Sequence, residues 1–148
     1  MKKLLYFLGL GMIIASACNK TTKLNVQPAL TPAGTFSGKF TLYHQNSRTG
    51  KVDSSSAALQ LSLEGASGFK VIGDTATLHA GSYGTYAVSA STSNIGFEDK
   101  TYPTTGTPVK IHLSGIYDYL YDGTTLQMAA YGALDTLTYY YNLKKTAN

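Results

Sequence analysis

From about residue 34 onward the chain alternates between apolar and polar positions. Phe36, Gly38, Phe40 and Leu42 share one parity, and Lys39, Thr41 and Tyr43 the other. That two-residue period is what a strand with one buried face requires. Leu59, Leu61 and Leu63 alternate with Gln60, Ser62 and Glu64 in the same way. Phe69 and Val71 begin a short strand, Tyr86, Val88 and Ala90 make another, and Ile95 with Phe97 a third. Val109, Ile111 and Leu113 alternate with Lys110 and His112. Residues 116–121 then meet 124–130 across Asp122-Gly123, a signal for a two-residue hairpin turn. The last strand runs over about residues 136–144, and neither a helical period nor an internal repeat is present.

About eight short strands predict an all-β fold, either a single antiparallel eight-stranded barrel or a β-sandwich. The barrel is preferred because its first and last strands would pair and remove both exposed edges. Two longer connections, residues 74–82 and 98–107, interrupt the strands. Connections of that length either gate and bind or simply join elements.

The tyrosines sharpen this picture. Tyr117, Tyr119 and Tyr121 share a face opposite Asp118 and Asp122. Unpaired carboxylates are rarely buried, so the tyrosine face should look inward. On the last strand Leu137, Tyr139, Tyr141 and Leu143 form the apolar face. Up to five phenols then point into the barrel, and each buried one needs a hydrogen-bond partner. Either a partly hydrated pocket supplies partners, or the rings fill the barrel ends with their hydroxyls reaching solvent. A third arrangement would turn tyrosines outward as a stacking platform for sugars, joining Tyr43 and Tyr140.

The first eighteen residues give an address. Lys2 and Lys3 precede an apolar run from Leu4 to Ile14, then Ala15, Ser16, Ala17 and Cys18. This is a charged n-region, a secretory h-region and a small-residue cleavage site. The run is shorter than the roughly 20 residues a membrane-spanning helix needs. Cys18 is the sole cysteine, placed at the cut, and exported proteins tend to avoid an unused thiol. The arrangement resembles the lipobox of bacterial lipoproteins, which implies a signal peptide over 1–17 and lipid attachment at Cys18. Acyl chains there would anchor the protein to a membrane. In that family an Asp after the cysteine favours the inner membrane; Asn19 stands here, which points to the outer membrane of the cell envelope. Residues 18–33, polar and carrying Pro28 and Pro32, read as a flexible tether of about 50 Å at most. The barrel domain is expected over 34–148.

Charge excludes one class of partner. Without Lys2 and Lys3 the formal charge falls from +4 to +2, and no basic cluster exists beyond Lys144-Lys145. A nucleic-acid footprint would be a concentrated basic stripe, so no nucleic-acid partner is expected. His44, His79 and His112 lack metal-ligand spacing and read as surface or strand-face residues, so neither metal nor cofactor is expected. Glu98 and Asp99 are adjacent and would point to opposite faces of a strand, which rules them out as an acid–base pair. No nucleophile elbow stands before a helix. The reading is of a protein that is not an enzyme.

The domain is similar to the small lipocalin-like barrel lipoproteins of diderm bacteria. The similarity lies in Gly34-Thr35-Phe36 and Gly38-Lys39-Phe40, in Leu113-Ser114-Gly115-Ile116-Tyr117, and in Asp122-Gly123, Leu126 and Tyr141-Asn142-Leu143-Lys144. True lipocalins carry Gly-x-Trp on the first strand, and this chain has no Trp. The first functional expectation is an envelope-anchored lipoprotein whose barrel binds a small hydrophobic or amphiphilic molecule. Phe40, Leu42, Leu61 and Met128 would form its apolar wall. Tyr117, Tyr119, Tyr139 and Tyr141 would bind a polar head. The alternative is a non-enzymatic structural or interaction lipoprotein with a filled barrel, binding glycan or another envelope protein by its surface. A third reading, an inhibitor of a secreted enzyme, would use one of the two long connections.

Overall fold

The computed structural model describes residues 29–73, 75–106, 109–132 and 136–146. The expected signal peptide, Cys18 and most of the expected tether lie outside the described residues. The strands are β1 (Gly34–Gln45), β2 (Val52–Glu64), β3 (Gly68–Gly73), β4 (Tyr83–Ser89), β5 (Asn94–Asp99), β6 (Gly115–Tyr121), β7 (Thr125–Tyr131) and β8 (Leu137–Lys145). A single 3-10 turn, Gly65–Ser67, joins β2 to β3. Each strand pairs antiparallel with the next and β8 pairs with β1, so the sheet closes into an eight-stranded barrel. Of the two expected architectures, the barrel is the one formed.

Register keeps one parity inside all the way round. Phe36 pairs with Leu61, Phe40 with Tyr141, and Met128 with both Tyr119 and Tyr141. These side chains belong to one buried cluster with Leu63, Phe69, Ile95, Phe97, Leu126 and Leu143. Burying one such side chain stabilises the fold by about 2 kcal/mol. The opposite parity faces water: Ile116 and Leu120 are exposed beside Asp118. At the β1–β8 seam a side chain has no room. A Cβ built on Gly38 would overlap the Asn142 carbonyl oxygen and lie 2.9 Å from Leu143 Cα.

Two expectations are corrected. Residues 109–113 are not a barrel strand; a single parallel bridge joins His79 to Ile111, and Val109 is fully exposed. Their alternation reflects a coil with one side against the core, where Leu113 is completely buried. The folded part also begins before Gly34. Ala29 N–H donates to the Ala90 carbonyl at 3.2 Å, and Pro32 is buried, so this end of the tether packs against the barrel.

The meander topology puts the segments 75–82 and 109–114 at the same end of the barrel. They lie side by side, with Ala80 N–H donating to the Ile111 carbonyl at 2.8 Å and Ile111 N–H to the Leu78 carbonyl at 3.0 Å. Lys110 Nζ donates to the Thr75 carbonyl at 2.7 Å. The pair forms a cork, with Leu78 and Ile111 packed on the core.

Candidate functional site

The barrel interior comes first, because the expected ligand residues converge there. Phe40, Leu61 and Tyr141 are 0% exposed, Met128 1%, Tyr117 2% and Tyr119 5%. Leu42 and Tyr139 are half-buried and pack against the same cluster. All eight are therefore brought together, six buried in one cluster and two packed against it. Phe40 and Tyr141 have ring centroids 4.8 Å apart, and Tyr117 meets Tyr141 edge-on at 5.7 Å. A side chain with no accessible surface has no water-sized space beside it, so the barrel is closed around Phe40, Leu61 and Tyr141, while Leu42 and Tyr139 keep some accessible surface.

His79 supplies the Tyr141 phenol with a buried partner. The cork carries it between Phe40 and Tyr141, at 5.0 and 5.7 Å between ring centroids, and leaves it fully buried rather than on a surface or strand face. Its Nδ1 lies 2.6 Å from the Ala80 carbonyl, which can only accept, so Nδ1 carries the proton. Nε2 then accepts from the Tyr141 hydroxyl at 2.8 Å. The Tyr117 and Tyr141 hydroxyls hydrogen-bond in turn. Burial pushes the Tyr117 phenol up to about 12 and raises Tyr141 as well, so both remain protonated donors. At the other end the Tyr121 hydroxyl donates to the Gly123 carbonyl at 2.8 Å. Among the described residues, Tyr119 Oη is the buried side-chain polar atom left without a partner.

Burial holds the His79 imidazole below its ordinary value of 6.5, against a smaller opposing effect of the Ala80 hydrogen bond. His112 nearby lowers it further and Asp99 opposes. The unfolded chain takes up the proton first as pH falls, so stability is full above 6.5 and declines as pH drops from there towards the depressed folded value. Each tenfold depression of proton affinity corresponds to about 1.4 kcal/mol. Thermal melts between pH 7.5 and 5 should show a falling melting temperature, and His79→Gln should flatten that slope. An unchanged melting temperature in the parent protein would contradict a neutral imidazole.

A second polar cluster pins the cork to β5. The Asp99 side chain is buried, and His112 Nδ1 donates to its Oδ2 at 2.7 Å. Thr101 donates to Oδ1 from its backbone N–H at 2.7 Å and from its hydroxyl at 2.6 Å. Ser82 is also hydrogen-bonded to this carboxylate and accepts Leu113 N–H at 3.2 Å. Burial works against the charge on Asp99, and the hydrogen bonds from Thr101, His112 and Ser82 outweigh it, leaving the carboxyl below its ordinary value. Ser, His and Asp are the residue types of a hydrolytic triad, but the order differs. In a triad the imidazole stands between serine and carboxylate. Here the carboxylate stands between the other two, which makes a clamp and gives Ser82 no base.

A cleft lies on the outer wall. It has a volume of about 450 Å³ and spans β2, β3 and β4 beside the Gly65–Ser67 turn, reaching Lys100 just past β5. Ser62 pairs with Lys70 and Lys70 with Tyr83. Lys100 N–H donates to the Tyr83 carbonyl at 3.0 Å. Four side chains thus form one transverse row, with Tyr83, 53% exposed, between two lysines. The adjoining row holds Glu64, Gly68, Thr85 and Glu98, with the Thr85 hydroxyl on Glu98 Oε2 at 3.0 Å. Gly68 and Gly84 are buried and bare, and a Cβ on either would overlap backbone of the next strand.

No family model, no curated protein and no solved structure matches the chain. The functional reading therefore rests on this geometry. Sequence reasoning placed the phenols and the inward parity. It missed His79, which lies in a non-periodic stretch, and the lysine–tyrosine row, whose members share only the outward parity of their strands.

Proposed function

We propose that the protein is a lipid-anchored, non-enzymatic envelope protein whose filled barrel is a scaffold and whose outer wall binds a glycan. The observation that carries this is the contrast between the two faces. Inward residues such as Phe40, Leu61 and Tyr141 have no accessible surface. The 450 Å³ cleft outside presents an exposed aromatic ring flanked by hydrogen-bonding side chains. A sugar offers an apolar C–H face and a rim of hydroxyls, which suits an aromatic face with polar neighbours. Anchoring rests on the signal-peptide pattern ending at Cys18.

One observation favours a second reading. The unpartnered Tyr119 hydroxyl is the kind of group that a bound polar head would satisfy, as a carrier of a small amphiphilic molecule requires. Mass spectrometry of the protein extracted from envelope membranes separates the two. The proposal expects acyl chains on Cys18, no small molecule retained in the barrel, and uptake of members of a saccharide panel. A retained amphiphile at fixed stoichiometry, lost in Tyr119→Phe while the fold persists, would favour the carrier instead.

A further inference from the structure

We infer that the outer-wall cleft takes an acidic saccharide, its carboxylate or phosphate held between Lys70 and Lys100 while the sugar ring lies on Tyr83. This rests on the glycan reading above and deepens it. The register sets the three side chains on neighbouring strands at one level, Lys70 opposite Tyr83 and Lys100 bonded to Tyr83 through the backbone. Among the described residues neither lysine belongs to an ion pair; the pairs present are Lys51–Asp53 and His112–Asp99. Two lysines without an ion-pair partner on either side of one ring can donate to a single anion, and each hydrogen bond to a charged group exceeds a neutral one in strength.

The two carboxylates nearby, Glu64 and Glu98, keep their charge and stand one row away from the lysines. Glu64 Oε1 accepts the Ser62 hydroxyl at 2.7 Å, and Glu98 Oε2 accepts the Thr85 hydroxyl. Carboxylates accept hydrogen bonds, and sugar hydroxyls supply them. The wall thus divides the ligand's chemistry: the lysine row meets the acidic group, the glutamate row meets the hydroxyls. Gly68 and Gly84, where the strands approach too closely for a side chain, also line the cleft. A neutral glycan would use Tyr83 and the glutamate row and leave both lysines idle.

The test uses the mature lipidated protein in nanodiscs against pairs of saccharides that differ by one acidic group. One series carries a carboxylate and a second a phosphate, which identifies the source of the anion. The acidic member should bind about tenfold more tightly, and the preference should shrink in high salt. Lys70→Met and Lys100→Met should each abolish the preference, with melting temperature unchanged because both side chains are exposed. Tyr83→Ala should remove binding of both members. Equal affinity for the two members, or lysine variants that retain the preference, would overturn the inference and leave the glycan reading standing. Binding of no saccharide at all would overturn both.

Discussion

Gly38→Ala should unfasten the barrel at its closing seam. β1 and β8 approach so closely there that an added methyl group meets the Asn142 carbonyl and the Leu143 Cα, both backbone atoms that cannot rotate away. Relief requires moving one strand, and the neighbouring pairs Phe36 with Lys145 and Phe40 with Tyr141 resist that movement. The expected cost is about 3 kcal/mol, the upper range for overpacking, or more than about 10 °C in melting temperature for a domain of this size. Gly96→Ala on β5 is the control. Nothing lies within 4 Å of its added Cβ, so its change should stay within about 0.5 kcal/mol. If both variants melt alike, the β1–β8 register is wrong.

Tyr141→Phe should cost about 2 kcal/mol for the loss of one oxygen atom. That oxygen donates to His79 Nε2 and bonds the Tyr117 hydroxyl. Its removal leaves a buried imidazole nitrogen unsatisfied and takes a partner from a buried phenol, each costing about 1–3 kcal/mol before relaxation. Tyr119→Phe makes the comparison, since its hydroxyl has no partner to lose and its removal should be neutral or mildly stabilising. Denaturant unfolding of the two variants measures the difference directly. Equal destabilisation would mean that the His79–Tyr141 pair contributes nothing as a hydrogen bond.

The inner surface of this barrel was legible because burial imposes a local rule. Leu59, Leu61 and Leu63, or Tyr117 against Asp118, declare their faces two residues at a time. The same rule misleads at 109–113, where alternation arises from one-sided contact of a coil with the core and not from a ladder. His79 escapes the rule altogether, since its place depends on Phe40 and Tyr141, both far away in the chain. The cleft is illegible for a related reason. That Lys70, Tyr83 and Lys100 stand level depends on the β3–β4–β5 register, which the connection of residues 74–82 leaves undetermined. The five inward phenols signalled a need for partners and left open whether water or protein supplies them; for Tyr141 the partner is a histidine carried in by a loop.

The ladders around the barrel are unequal. β1 and β2 run paired along their whole lengths, whereas β3 and β4 share only Phe69 with Gly84 and Lys70 with Tyr83, plus Val71 N–H on the Ser82 carbonyl at 2.7 Å. A hoop with one narrow weld breathes at the weld, so amide hydrogens there should exchange soonest. The cleft straddles that junction, with Lys70 on one bank and Tyr83 on the other. Any molecule seated across it would act as a rivet: its own affinity would be drawn on to hold the hoop shut, and an occupied protein would resist unfolding and proteases better than an empty one.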